Sequence, residues 1–183
     1  MAYQLAGLRI EAVVGDIAAQ GDCDAVVNAA NAELMPGGGV AGALHRAAGP
    51  QLAEACRPLA PIEPGQAVTT GGYGLPNPHV IHCLGPVYGV DEPGERLLAD
   101  CYRNALAEAE AHRLASVAFP AISTGAFGFP MERAARVAVG AIREAAPQLG
   151  HLQRLRFVLA DEPARRIHEQ VLGELAEQQE EPS

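Results

Sequence analysis

The chain has 183 residues, 49% hydrophobic and only 4% aromatic, which suits one compact domain with a core built mainly of Ala, Val, Leu and Ile. Its formal net charge of −9 argues against a general nucleic-acid binder, because neutralising phosphates needs a basic face. No apolar run approaches the roughly eighteen residues of a membrane span.

The N-terminus, MAYQLAGLRIEAVVGD, has neither the charged start nor the apolar core of a signal peptide. Four cysteines, Cys23, Cys56, Cys83 and Cys101, form no CxxC pair, so neither a zinc site nor a disulfide framework is expected. They read as reduced thiols of a cytoplasmic protein.

In chain order, Leu8 to Val14 alternates as an edge or half-buried strand, and Asp24 to Ala29 (DAVVNA) is a short buried one. A helix is predicted from near Val40, continuing in broken form past Gly49-Pro50 to Cys56 and Arg57. Strands follow at Gln66–Thr70 and His79–Leu84, separated by the turn-rich GGYGLPNP. Glu95 to Arg113 carries an apolar stripe of Leu97, Leu98, Cys101, Tyr102, Ala105, Leu106 and Ala109, the spacing of a helix. Ser116–Ala121 is another buried strand. Met131–Ala146 repeats the stripe through Ala134, Ala135, Val137, Ala138, Ala141 and Ile142, Leu155–Ala160 closes the sheet, and a last helix runs from about Glu162 to Leu175.

Strands alternating with helices predict an α/β fold, a three-layer α/β/α sandwich around a mixed, largely parallel sheet. No internal repeat or linker interrupts it. Residues 1–175 are expected as one domain, and 176–183 as a polar tail.

Two glycine-rich loops follow buried strands and open helices: PGGGVAGALH after Ala29, and STGAFGFP after Ala121. In open α/β sheets ligands gather at such strand ends. Glycine lets consecutive backbone N–H groups converge on phosphate oxygens. No Walker lysine follows either loop, and the GxGxxG dinucleotide pattern is absent. Asn28 and Asn31 carry donors and acceptors suited to sugar hydroxyls, or to capping and turns. Asp16 suits an amino group such as an adenine N6, or a cap on the segment after it.

Together VVGDI, DAVVNAAN, GGGVAGALHRAAG, GQAVTTGGYGLPNPHVIHCLGPVY and FPAISTGAFGFP resemble a macrodomain, the ADP-ribose-binding module, over about Leu8 to Leu175. The RAAG ending and VIHCLGP are most similar to the bacterial and MacroD-type branch, which includes hydrolases of ADP-ribosyl esters and O-acetyl-ADP-ribose. The resemblance implies that Asp16 and the Ile17 backbone hold adenine, that Asn31 binds the distal ribose, and that Asn28 braces the loop. Gly38, Gly39 and Val40 would line the distal ribose and its phosphate. Ser123, Thr124, Gly125, Ala126, Phe127 and Gly128 would wrap the diphosphate, with Phe127 also packing on the distal ribose. Catalytic roles fall to Asn31, Phe127 and His45, whose unperturbed pKa near 6.5 suits proton transfer. No metal and no cofactor is implied.

Two departures stand out. MacroD-type enzymes carry an aspartate where this chain has Ala41, which removes the obvious carboxylate base and leaves His45 or a substrate phosphate oxygen. Relatives often place an aromatic residue at Ala160 to stack on adenine. The expected function is therefore an ester-cleaving ADP-ribosyl hydrolase or O-acetyl-ADP-ribose deacetylase, with ADP-ribose or an ADP-ribosylated protein or metabolite as partner. The alternatives are a non-catalytic ADP-ribose reader and, least favoured by the charge, an RNA-interaction module.

Overall fold

The computed structural model, which describes residues 2–177, opens with a hairpin that the sequence pattern does not announce. Strand β1 (Ala2–Leu5) turns through Ala6 and Gly7 into β2 (Leu8–Val14). Both turn residues have positive φ, +50° and +87°, the primed geometry that matches strand twist. Of the two expectations for β2, edge or half-buried, the second holds: β1 takes the edge and pairs with it antiparallel. Its alternation reflects uneven cover of its two faces, with Leu8, Ile10 and Ala12 turned into the core.

The remaining elements are β3 (Ala25–Ala29), α1 (Gly39–Ala48), α2 (Pro50–Cys56), β4 (Ala67–Gly71), β5 (His79–Cys83), α3 (Gly94–Ala111), β6 (Ser116–Phe119), α4 (Met131–Ala145), β7 (Arg154–Leu159) and α5 (Glu162–Glu177). The predicted break at Gly49-Pro50 is real: the Gly49 N–H closes α1 on the His45 carbonyl, and Pro50 opens α2. Val139 is fully buried in α4 and Val137 only half so, one step from the predicted stripe. α5 takes in Ala176 and Glu177, expected as tail, and the rest of the tail lies outside the described residues.

The sheet order is β1-β2-β7-β6-β3-β5-β4. The five inner strands are mutually parallel, and the two edges, β1 and β4, are antiparallel. Doubly covered strands need continuous apolar runs, and AVVNA and SVAF supply them. One face is packed by α3, α4 and α5 through Tyr102, Phe119, Ile142 and Phe157. The other lies under α1 and α2 through Val26, Leu44, Leu52 and Val80. These are the three layers.

Neighbouring strands β3 and β6 send the chain opposite ways. β3 continues into α1 on one face, and β6 into α4 on the other. Their loops must splay apart, and a crevice opens at the carboxyl edge of the sheet.

Candidate functional site

A cleft of about 340 Å³ occupies that crevice. Ala29, Ala30, Asn31 and Gly37 to Ala41 form one wall; Gly85, Ala121, Ile122, Ser123 and Gly125 to Phe127 form the other. None of these side chains is charged. The donors are main-chain amides. α1 starts at Gly39 behind Gly38, which makes no side-chain cap. The N–H groups of Gly39, Val40 and Ala41 therefore have no helical acceptor, the first such bond being Gly42 N–H to the Gly38 carbonyl at 3.2 Å. In the second loop, Thr124, Gly128 and Phe129 donate to Ala121, Gly125 and Ser123 carbonyls. The amides of Ser123, Gly125, Ala126 and Phe127 find no acceptor among the described residues. Two loops with unpartnered N–H groups thus line one cleft, the first at the positive end of a helix. Such an arrangement can hold an anion without cationic side chains.

Each loop is fixed from behind. Asn31 pairs with the Met35 backbone in both senses: its Nδ2 donates to the Met35 carbonyl at 2.8 Å, and its Oδ1 accepts the Met35 N–H at 3.0 Å. One Nδ2 hydrogen remains for a ligand. Gly39 has φ +56°, a left-handed value that turns the chain into α1. Gly42 packs against the loop so closely that a Cβ there would sit 2.2 Å from the Gly37 carbonyl oxygen. On the other wall, Thr124 Oγ1 donates to the Ala121 carbonyl at 2.7 Å, and Tyr88 N–H donates to the Phe127 carbonyl at 2.8 Å. The buried Tyr102 hydroxyl accepts the Ile122 N–H at 3.4 Å, which ties the loop to α3.

The parallel strands also order the neighbouring positions. Asp16 follows β2, Ala160 follows β7, the second loop follows β6 and Asn31 follows β3, in that sequence across one edge. At about 4.8 Å per strand, β2 to β3 spans about 14 Å, a dinucleotide-sized reach. Asp16 and the buried Ile17 thus lie along the edge from the cleft rather than in its walls. Asp16 Oδ1 accepts the Ala18 N–H at 2.9 Å, which leaves its other oxygen open. Ala160 is exposed beside Asp161, which caps α5 through the Ala164 N–H at 2.9 Å.

Of the residues singled out in the sequence, the cleft joins Asn31, Gly38, Gly39, Val40, Ser123, Gly125, Ala126 and Phe127. Thr124 and Gly128 belong to the same loop but not to the lining. Asn28 lies beneath, 1% exposed, with Nδ2 at 3.0 Å from His82 Nδ1. His45 does not reach the cleft: it is buried under α1, its ring nitrogens have no hydrogen-bond partner, and burial lowers its pKa. Gly85 and Ala41 were not singled out as ligand contacts, yet both line the cleft. The HCLGP stretch at the end of a buried strand was the available signal for Gly85. A larger groove of about 640 Å³ between α3 and α4 has helix flanks for walls, whose amides are committed to helical bonds.

A Macro domain family model matches residues 27–138. The chain belongs to the macrodomain family. This macrodomain is 43% identical over 175 residues to a macro domain-containing protein of Cupriavidus necator, covering 92% of this chain and 100% of that one. It is 44% identical over 175 residues to a Citrobacter rodentium protein named O-acetyl-ADP-ribose deacetylase, covering 93% and 98%. The fold superposes on the Oceanobacillus iheyensis macrodomain with ADP at a TM-score of 0.92, with 36% identity and 97% of each chain covered. The Trypanosoma brucei macrodomain in complex with ADP-ribose gives 0.82 at 36% identity, covering 90% of this chain and 69% of that one.

Proposed function

We propose that this macrodomain binds ADP-ribose along the carboxyl edge of its sheet and hydrolyses ester bonds to the distal ribose. Its substrates would be O-acetyl-ADP-ribose and protein mono-ADP-ribosylated at acidic side chains. The observation that carries the reading is the double set of unpartnered amides around an uncharged cleft. A diphosphate satisfies them, and it satisfies the helix N-terminus too. The naming of relatives at about 44% identity as O-acetyl-ADP-ribose deacetylases supports the reaction.

The diphosphate would lie on Ser123 to Phe127, and the distal ribose between Phe127 and Asn31. The free Nδ2 hydrogen of Asn31 would orient a ribose oxygen. Water would attack the ester carbonyl carbon. The new C–O bond gives a tetrahedral oxyanion; its collapse breaks the old C–O bond, the proton taken from water passes to the ribose oxygen, and the carboxylic acid leaves. The rate would come from positioning and from amide dipoles around the developing oxyanion. No Asp, Glu or His stands in the cleft lining, so a phosphate oxygen of the substrate is proposed to take the water's proton. His45 enters this scheme only as support beneath α1.

We also propose that the reaction needs no metal: among the described residues no three His, Cys, Asp or Glu side chains come together to hold one. No helix among them is long and apolar enough to cross a membrane. The four free, buried thiols suit a reducing, cytoplasmic setting. A second reading, a non-catalytic ADP-ribose reader, is favoured by one observation, Ala41 in the cleft where a carboxylate would serve. Release of acetate from O-acetyl-ADP-ribose decides between them: the hydrolase turns it over, whereas a reader binds ADP-ribose and releases nothing.

A further inference from the structure

Beneath the cleft, on the α1/α2 face of the sheet, three adjacent strands carry polar side chains in contact, Asn28 opposite His82 and Thr70 diagonal to it. Asn28 of β3, His82 of β5 and Thr70 of β4 each stand two residues beyond Val26, Val80 and Val68, and so face the same way. Asn28 Nδ2 lies 3.0 Å from His82 Nδ1, and Thr70 Oγ1 lies 2.9 Å from His82 Nε2. The Thr70 hydroxyl donates onward to the Gly71 carbonyl at 3.0 Å. His82 is fully buried and Asn28 nearly so.

One arrangement of protons satisfies all three contacts: Thr70 gives its one hydroxyl hydrogen to Gly71, and its oxygen accepts from His82 Nε2–H. Nδ1 is then bare and accepts from Asn28. The opposite tautomer would require Asn28 to flip, placing an NH2 group where Oδ1 now lies buried with no partner. Both hydrogens of that NH2 group would then be buried without an acceptor.

We propose that His82 is a positioning residue for the cleft, its imidazole carrying a one-way hydrogen-bond chain from Asn28 through Thr70 to the Gly71 carbonyl. Asn28 is the next-to-last residue of β3, and the three residues after it, Ala29, Ala30 and Asn31, line the cleft. Fixing Asn28 fixes where Asn31 emerges. Cys56 Sγ of α2 lies 3.7 Å from His82 Nε2, and His45 of α1 is near enough for a charge on it to lower the His82 pKa further. His82 therefore sits where β3, β4, α2 and α1 meet. Burial pushes its pKa down to about 3, which keeps the chain of donors running one way at neutral pH.

The inference rests on the cleft's being the hydrolytic site, and its tests separate the two. Nitrogen-15 spectra of the full chain should show His82 as the Nε2–H tautomer, unchanged from about pH 5 to about pH 8. Thr70→Val, isosteric and on a half-buried edge strand, should shift the Nε2 resonance. It should also alter the ADP-ribose-induced amide shifts of Asn31 and Gly38 to Val40 while sparing those of Gly125 to Phe127. Its kcat should fall about tenfold with KM within about twofold. His82→Leu should lose on the order of a hundredfold in kcat. His82→Gln, with a donor and an acceptor, should restore most of it. An Nδ1–H tautomer overturns the proposal. So does Thr70→Val with wild-type kcat, or His82→Gln no better than His82→Leu. If the wild type turns nothing over, the hydrolase reading fails alone, and the tautomer and the ligand-induced shifts still decide for or against His82.

Discussion

Gly42 touches no ligand in this account, yet Gly42→Ala should disable the cleft. A Cβ at this position would stand 2.2 Å from the Gly37 carbonyl oxygen, whereas ordinary contact begins at 3.4 Å. The obstacle is main chain, so it cannot rotate aside; the glycine loop must retreat by about 1.2 Å. Displacements of this size cost about a hundredfold in rate when they misplace reacting groups. The same change favours the helix itself, since Ala is better than Gly in a helix interior by about 1 kcal/mol. That gain offsets only part of the cost of moving main chain. The thermal unfolding midpoint of Gly42→Ala should therefore fall, and calorimetry on the folded protein should show ADP-ribose affinity reduced on the order of tenfold or more. Gly38→Ala is the companion: a Cβ there meets nothing within 4 Å and φ is an ordinary −85°, so the free protein should be undisturbed and only the liganded one crowded. Wild-type ADP-ribose affinity in Gly42→Ala would refute the claim that helix packing sets the loop's position.

Acid should destabilise the fold through its buried histidines. Burial lowers the pKa values of His45, His82 and His168, the last being 1% exposed. The unfolded chain then binds more protons below about pH 6.5, so stability is full above that pH and is lost as pH falls, down to about 3 for His82. Each histidine that stays neutral to pH 5 costs about 2 kcal/mol, readable as a falling denaturant midpoint; a midpoint flat between those pH values contradicts the burial argument. Ala160→Phe should tighten ADP-ribose binding by about 1–3 kcal/mol in calorimetry if the adenine lies over the end of β7. Unchanged affinity would move the base elsewhere. ADP-ribose affinity should be flat or rise slightly with salt, because neutral amides hold the anion while a net charge of −9 repels it. A steep fall with salt would mean that arginines do the binding.

Much of this arrangement was legible because it is local. The glycine loops, the breaks at Gly49-Pro50 and the stripes of α3 and α4 are written in neighbouring residues, and alternation of strand and helix implied the layered fold. Features that depend on what lies across the sheet were not. β1 has no hydrophobic pattern of its own, and its turn uses Ala6 rather than the usual Asn or Asp. Gly42 reads as one more small helical residue until the Gly37 carbonyl is found against it. Asn28, His82 and Thr70 lie 54 and 12 positions apart in the chain and meet only through strand register. His45 shares a helix face with Ala41, but that face turns into the core below the first turn, so spacing alone pointed it toward the cleft. Asn31 was legible as a polar residue at a strand end; its grip on Met35 was not.

If the two amide loops hold ADP-ribose for hydrolysis at the distal ribose, the purified protein turns over O-acetyl-ADP-ribose and Asn31→Ala does so more slowly. The wild type should release acetate and ADP-ribose, and Asn31→Ala should do so at least about tenfold more slowly. A wild type that binds ADP-ribose but releases no acetate above the uncatalysed rate would contradict the hydrolase reading and leave a reader in its place.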